Sequence, residues 1–101
     1  MGNPVIDYPF SYAHITADGQ ASNHPGVLHT IVVNGLTTAG DATVYDNTVT
    51  GGAAVIAILH LSVATSVSVQ PITLTYDCKV GTGIYIEYDA TLAADLTVTY
   101  K

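Results

Sequence analysis

The groups in this chain that could do chemistry are four histidines, eight carboxylates and one cysteine. Cys78 lies on the apolar phase of an alternating run, beside Tyr76 and Val80. A nucleophilic thiol needs an accessible, electropositive setting, so this cysteine reads as structural. A lone cysteine cannot form an intrachain disulfide, which fits a reducing compartment. His29 and His60 fall in strand-like runs, and His14 and His24 in or near the N-terminal stretch. No HxH, HExxH or CxxC spacing is present to hold a metal. Asp41, Asp46, Asp77, Glu87, Asp89 and Asp95 are scattered. Glu87 and Asp89 share the outward phase of one run, but a solvated strand face accounts for them more simply than a paired-carboxylate site. No EF-hand-like loop surrounds Asp41, Asp46 or Asp89. The chain has no nucleophile elbow and no dinucleotide fingerprint. Its one glycine pair in a GTG turn, Gly81 and Gly83, leads into a strand and not into the helix N-terminus a phosphate needs. No catalytic residue, metal or cofactor is assigned, and the expectation is a protein that is not an enzyme.

The charge balance narrows the class further. Eight residues are acidic and two, Lys79 and Lys101, are basic, for a formal net charge of −6. Nucleic-acid binders displace counterions with a basic stripe, which two lysines cannot make. Direct contact with nucleic acid or with anionic lipid is disfavoured. The opening residues, MGNPVIDYPF, lack the basic and apolar regions of a signal peptide. The longest apolar run, Ala53 to Leu59, is far below the roughly 20 residues that cross a bilayer. Soluble domains usually carry about 25% charged residues, against 10% here. Charges hydrate a surface and keep sheet edges from pairing with neighbours. Their scarcity predicts that much of this surface meets protein, in a homo-oligomer.

The elements that position these groups are strands. A chain of 101 residues suits one domain. Pro4, Pro9 and Pro25 break up the first 25 residues, so 1–25 is expected to be an extended arm, with one short strand near Ser11 to Thr16, and 26–101 the folded domain. Strands are expected at Val27 to Asn34, Ala42 to Asp46, Ala53 to Val63, Ser66 to Val69, Ile72 to Val80, Ile84 to Asp89 and Asp95 to Tyr100, separated by Asn34-Gly35, Asp46-Asn47, Gly51-Gly52 and Gly81-Thr82-Gly83. Ala90 to Asp95 has room for one helical turn. Seven or eight short strands of this kind predict an all-β antiparallel sandwich, jelly-roll-like.

Ala53 to Val63 is apolar on both faces, with Val55, Ala57, Leu59, Leu61 and Val63 on one and Ile56, Ile58 and His60 on the other. A sandwich strand normally turns one face to water, so this one is expected to be covered on both sides. Val55, Ile56, Ile58 and His60 are the expected subunit interface. Val5, Ile6, Tyr8 and Phe10 are the expected contacts of the arm.

The stretch GVLHTIVVNGLTTAGDATVYDN (Gly26 to Asn47) and the later TGIYIEY (Thr82 to Tyr88) resemble a pattern of small tailed-bacteriophage virion proteins: a "GxLHxIxVN…VxxYDN" hairpin, an "xVIAxL" strand and a "TGLYIxY" strand. The matching residues are Gly26, Leu28, His29, Ile31, Val33, Asn34, Val44, Tyr45, Asp46, Asn47, Val55, Ile56, Ala57, Leu59, Thr82, Gly83, Ile84, Tyr85, Ile86 and Tyr88. The resemblance implies a capsid decoration (cement) protein, a homotrimer on the virion surface that is assembled in the host cytoplasm and binds the major capsid protein. The alternative is a tail, receptor-binding or carbohydrate-binding sandwich module, with Tyr85, Glu87 and Asp89 as its sugar-facing patch.

Overall fold

The alternating runs become eight strands in a computed structural model that describes residues 10–49, 54–62 and 71–101. In chain order they are β1 (Ser11–Ile15), β2 (Gly19–Ser22), β3 (Gly26–Thr38), β4 (Gly40–Tyr45), β5 (Val55–Leu61), β6 (Ile72–Val80), β7 (Ile84–Tyr88) and β8 (Ala93–Tyr100). They form two four-stranded antiparallel sheets, ordered β1-β8-β3-β6 and β2-β7-β4-β5. This order is that of one long hairpin folded over. β4 pairs with β5 at its tip, β3 with β6, β2 with β7 and β1 with β8. Wrapping adds the pairs β3–β8 and β4–β7. The result is a two-layer jelly-roll sandwich.

Side chains alternate along each strand, so each sheet turns one set inward. Leu28, Ile31 and Val33 of β3 join Leu96 and Val98 of β8 in the core, with Ala42 and Val44 of β4 and Ile84 and Ile86 of β7. Burying a large aliphatic side chain stabilises by about 1.5–3 kcal/mol, so these central strands carry most of the packing energy.

Three expectations meet a different outcome. Asn34-Gly35 is no turn: β3 runs on to Thr38 because β8 pairs with it as far as Thr38↔Ala93, through register shifts at Val33/Gly35 and Leu36/Thr38. The Asn34 amide donates to Asp95 Oδ1 at 3.1 Å and Thr97 Oγ1 at 2.8 Å. Ala90 to Asp95 forms no helical turn. Asp89 Oδ1 accepts the backbone N–H groups of Thr91 and Leu92 in a tight bend, and β8 begins at Ala93. Within the stretch read as an arm, residues 11–22 supply β1 and β2, which pair with β8 and β7 as one edge of each sheet. The sandwich therefore takes in strands well before residue 26. Residues 1–9, which include Val5, Ile6 and Tyr8, and the run Ser66 to Val69 lie outside the described residues.

Carboxylates lock the turns. Asp46, just past β4, accepts N–H bonds from Gly81 and Thr82 at 2.8 Å and from Gly83 at 3.3 Å. This ties the end of β4 to the β6–β7 turn. A Cβ on Gly83 would stand 2.6 Å from the Ser22 carbonyl oxygen, so only glycine fits there. Asp89 Oδ2 accepts the Asp41 N–H at 2.8 Å and so joins the start of β4 to the β7–β8 turn. Backbone donation, from Gly81 to Asp46 and from Asp41 to Asp89 first among the causes, holds both carboxyls below the usual carboxylate range. The Asn34 amide and then His14 do the same for Asp95. Groups shifted in this direction stabilise the fold above about pH 4, the unfolded value, and lose that stabilisation as pH falls through their lower folded values. Thermal scans should show Tm falling steeply below about pH 4. Asp46→Ala should cost about 0.5–1.5 kcal/mol at neutral pH, through the lost turn hydrogen bonds, and should flatten the acid limb.

Tyr88 points inward from β7. Its hydroxyl donates to the Ala94 carbonyl at 2.8 Å, with the Ile15 carbonyl sharing the proton at 3.1 Å. Burial, helped by Asp95 and Asp18, pushes its pKa up to about 12. The unfolded phenol ionises near pH 10, so this contribution is complete below that value and disappears as pH rises through about 12. Alkaline unfolding followed by circular dichroism should be shallower in Tyr88→Phe. At neutral pH that variant should be less stable by about 1 kcal/mol.

Candidate functional site

The largest apolar groups exposed on the outer face of the β2-β7-β4-β5 sheet sit on β5. Pairing with β4 fixes which way each β5 residue points. Thr43, opposite Ile58, and Asp41, opposite His60, face outward, whereas Ala42, opposite Leu59, is buried. Ile58 is accordingly 50% exposed and Leu59 7%. A register shift between Val44 and Tyr45 leaves Val55 opposite Tyr45 on the outer face, 48% exposed, and makes Ile56 the extra residue of a bulge that packs against the core. The two faces read from the sequence therefore differ at the start of the strand: Ile58 and His60 share the outer face, Val55 lies on that face and not with Leu59, and Ile56 packs against the core. The phase error arises because one inserted residue reverses the alternation on one side of it. Among the described residues the inner face of this strand is covered, and Val55 and Ile58 stand exposed on the outer face.

The surroundings of β5 hold one further exposed aliphatic residue and two carboxylates, Asp41 and Glu87, each with a hydrogen-bond partner. Val49, in the bend after β4, is 58% exposed and was not singled out from the sequence. Tyr45 donates its hydroxyl to Glu87 Oε1 at 2.8 Å. His60 Nδ1 lies 3.0 Å from Asp41 Oδ1. Between Asp46 and Asp77 the sequence has no Asp, Glu, Lys or Arg at all. All eight carboxylates thus lie outside the segment that holds β5 and the first half of β6.

The expected arm contact Phe10 lies elsewhere, against the other sheet. Its ring stacks on His29 with centroids 4.0 Å apart and planes 8° from parallel, and His29 Nδ1 bonds Asp77 Oδ1. Asp77 is the one described non-glycine residue with positive φ, 49°, at the bulge where β6 shifts register against β3. Tyr12, on β1, is 73% exposed and was also missed. The signal that could have found it is its alternation with the partly buried Ala13 and the buried Ile15.

The residues considered for chemistry are dispersed or engaged. Glu87 is bonded to Tyr45 on the outer face, whereas Asp89 turns away to hold the β7–β8 bend. The two therefore do not form one patch with Tyr85. Cys78 is half-buried, and burial, then the charges of Asp46 and Asp77, pushes its thiol pKa up, which disfavours the thiolate. His14 Nε2 lies 2.7 Å from Asp95 Oδ1 and His24 Nδ1 2.9 Å from the Pro25 carbonyl oxygen. Among the described residues no three His, Cys, Asp or Glu side chains gather as a metal site. No helix of the described residues is long and apolar enough to cross a membrane.

The two faces of β5 predict opposite responses to substitution. Ile58→Ser should change the unfolding free energy by less than about 0.5 kcal/mol, as surface substitutions do. Leu59→Ala should cost about 2–3 kcal/mol from lost burial and the cavity left behind. Urea titrations of the two variants at low protein concentration check the difference.

Comparison with known proteins gives no match: no family model, no curated protein and no solved structure matches this chain.

Proposed function

We propose that this chain is a non-enzymatic structural subunit of a bacteriophage particle, a head decoration (cement) protein that self-associates and binds the capsid shell. The observation that carries the assembly half of this reading is β5: an edge strand with Val55 and Ile58 open to solvent, in a chain that has only two basic residues. Natural sheets guard such edges with charge, proline or cover, because unpaired strand edges recruit other chains. The virion half rests on the resemblance carried by Gly26 to Asn47 and Thr82 to Tyr88. A jelly-roll sandwich is also the architecture of many viral capsid domains, an analogy of fold that supports the reading without fixing it.

The mechanism is mechanical. Apolar strand surface is buried between copies, and many modest contacts to a repeating shell act together, so avidity arises without any single strong bond. A sugar-binding role for Tyr85, Glu87 and Asp89 is less well supported, because Asp89 is committed to the β7–β8 bend.

The test is fractionation of phage particles from the source that encodes this chain. The chain is expected to co-sediment with DNA-filled heads, to be released by mild denaturant, and to rebind stripped heads when added back. Stripped heads should lose their contents at a lower temperature than decorated ones. Absence of the chain from purified particles would overturn the reading.

A further inference from the structure

Asparagine followed by glycine is the dipeptide most prone to lose its side-chain amide, because a glycine nitrogen meets no side chain of its own residue on the way to the asparagine Cγ. The chain has four asparagines, Asn3, Asn23, Asn34 and Asn47, and one of them, Asn34, precedes a glycine. Pro4 follows Asn3 and has no N–H, while His24 and Thr48 follow the other two. Asn34 lies within β3 and is nevertheless exposed. Val33 pairs with Leu96 and Gly35 with Asp95, so Asn34 is the extra residue of a bulge. A Cβ at Gly35 would meet nothing within 4 Å, which leaves that side of the glycine open. The register shifts again between Leu36 and Thr38, and Thr37 and Thr38 are exposed. A strand end with broken registry and exposed residues opens at low cost. One arrangement opposes this reactivity. Asn34 Nδ2 donates to Asp95 Oδ1 at 3.1 Å and to Thr97 Oγ1 at 2.8 Å, and His14 Nε2 lies 2.7 Å from the same Asp95 oxygen.

We infer that Asn34-Gly35 is a deamidation site whose reactivity Asp95 restrains. The Gly35 nitrogen attacks Asn34 Cγ and gives up its proton. The bond from Cγ to Nδ2 breaks, and Nδ2 leaves with that proton as ammonia. Water then opens the resulting succinimide at either carbonyl, giving aspartate or isoaspartate at position 34. The step needs water and no other reactant. While the Nδ2 hydrogens are held by Asp95 and Thr97, the carboxamide is fixed against β8 and cannot turn Cγ toward the Gly35 nitrogen. Attack therefore waits until both bonds break. The product cannot restore them. A carboxylate has no hydrogen to donate, and it sets a second negative charge beside Asp95. A restraint becomes a repulsion, and the pairing of β3 with β8 beyond Val33 loosens. The inference is independent of the virion reading.

The experiment incubates the unmodified chain in warm, mildly alkaline buffer beside a synthetic peptide of residues 30–39. Peptide mapping by mass spectrometry follows the amide-to-acid mass change, and enzymatic methyl transfer detects isoaspartate. Conversion is expected at Asn34 ahead of Asn23 and Asn47, about tenfold slower than in the peptide, the factor that two lost hydrogen bonds command. Asp95→Ala should recover most of that difference. Conversion elsewhere first, a native chain as fast as the peptide, or an Asp95→Ala chain as slow as the native one would each overturn the inference. Thr99→Val controls for general loosening: it removes the Thr30–Thr99 hydroxyl contact between the same two strands and leaves the Asn34 bonds in place. Its rate should stay within about twofold of native, since distant sites act independently. Equal acceleration by both variants would remove Asp95 from its assigned role. Asn34→Asp mimics the direct product. Amide exchange at residues 35–38 should quicken about tenfold in that variant, with β7 unchanged, and exchange equal to native at 35–38 would overturn the predicted loosening.

Discussion

The pairing of β3 with β8 is the constraint on which the rest of this structure depends. β3 lies between β8 and β6, and β8 lies between β3 and β1, so together they hold the whole sheet. Leu28, Ile31, Val33, Leu96 and Val98 enter the core from these two strands alone. Their registry is not uniform: it shifts at Leu28/Thr30, Val33/Gly35 and Leu36/Thr38. Each shift adds twist, and β3 can thereby keep one partner from Leu28 to Thr38. On the outer face Thr30 and Thr99 secure the pairing with hydroxyls 2.6 Å apart and the Thr30 N–H donating to Thr99 Oγ1.

The scarcity of lysine and arginine changes how this protein uses its acids. With few cations to pair, Asp46 and Asp89 bind backbone N–H groups, and Asp41, Asp77 and Asp95 pair with histidines. Each backbone-bound carboxylate spans two loops that lie far apart in sequence, so it closes the sandwich ends where strands cross from sheet to sheet. Each histidine pair joins an edge strand to its inner neighbour: β1 to β8, β6 to β3 and β5 to β4. Such exposed pairs contribute little individually. Their value lies in tying each of these edge strands to its neighbour.

Much of the fold was legible because a side-chain period of two is a local property. The alternation over Ile72 to Val80 and Ile84 to Tyr88 appears in the structure residue by residue. Features that need two distant segments were not legible. Asn34-Gly35 reads as a turn until β8 lies beside it. Asp89 reads as half of an outward acidic pair until the N–H groups of Asp41, Thr91 and Leu92 surround it. For the candidate site, the greasy character of β5 could be read directly, but its place at a sheet edge could not, because position in a sheet is set by all the other pairings. Nor could the bulge that sends Val55 outward and Ile56 inward, since nothing in the run of alternating aliphatics marks it.

The folded-over hairpin also sets an order of events during synthesis. β4 and β5 are joined by a short connection and can pair as soon as both leave the ribosome, whereas β1 and β3 emerge early and wait for β8, the last strand made. Local pairings form fast and distant ones slowly. The β4–β5 hairpin can therefore form while the nascent chain still lacks β6 and β8, half of its first sheet.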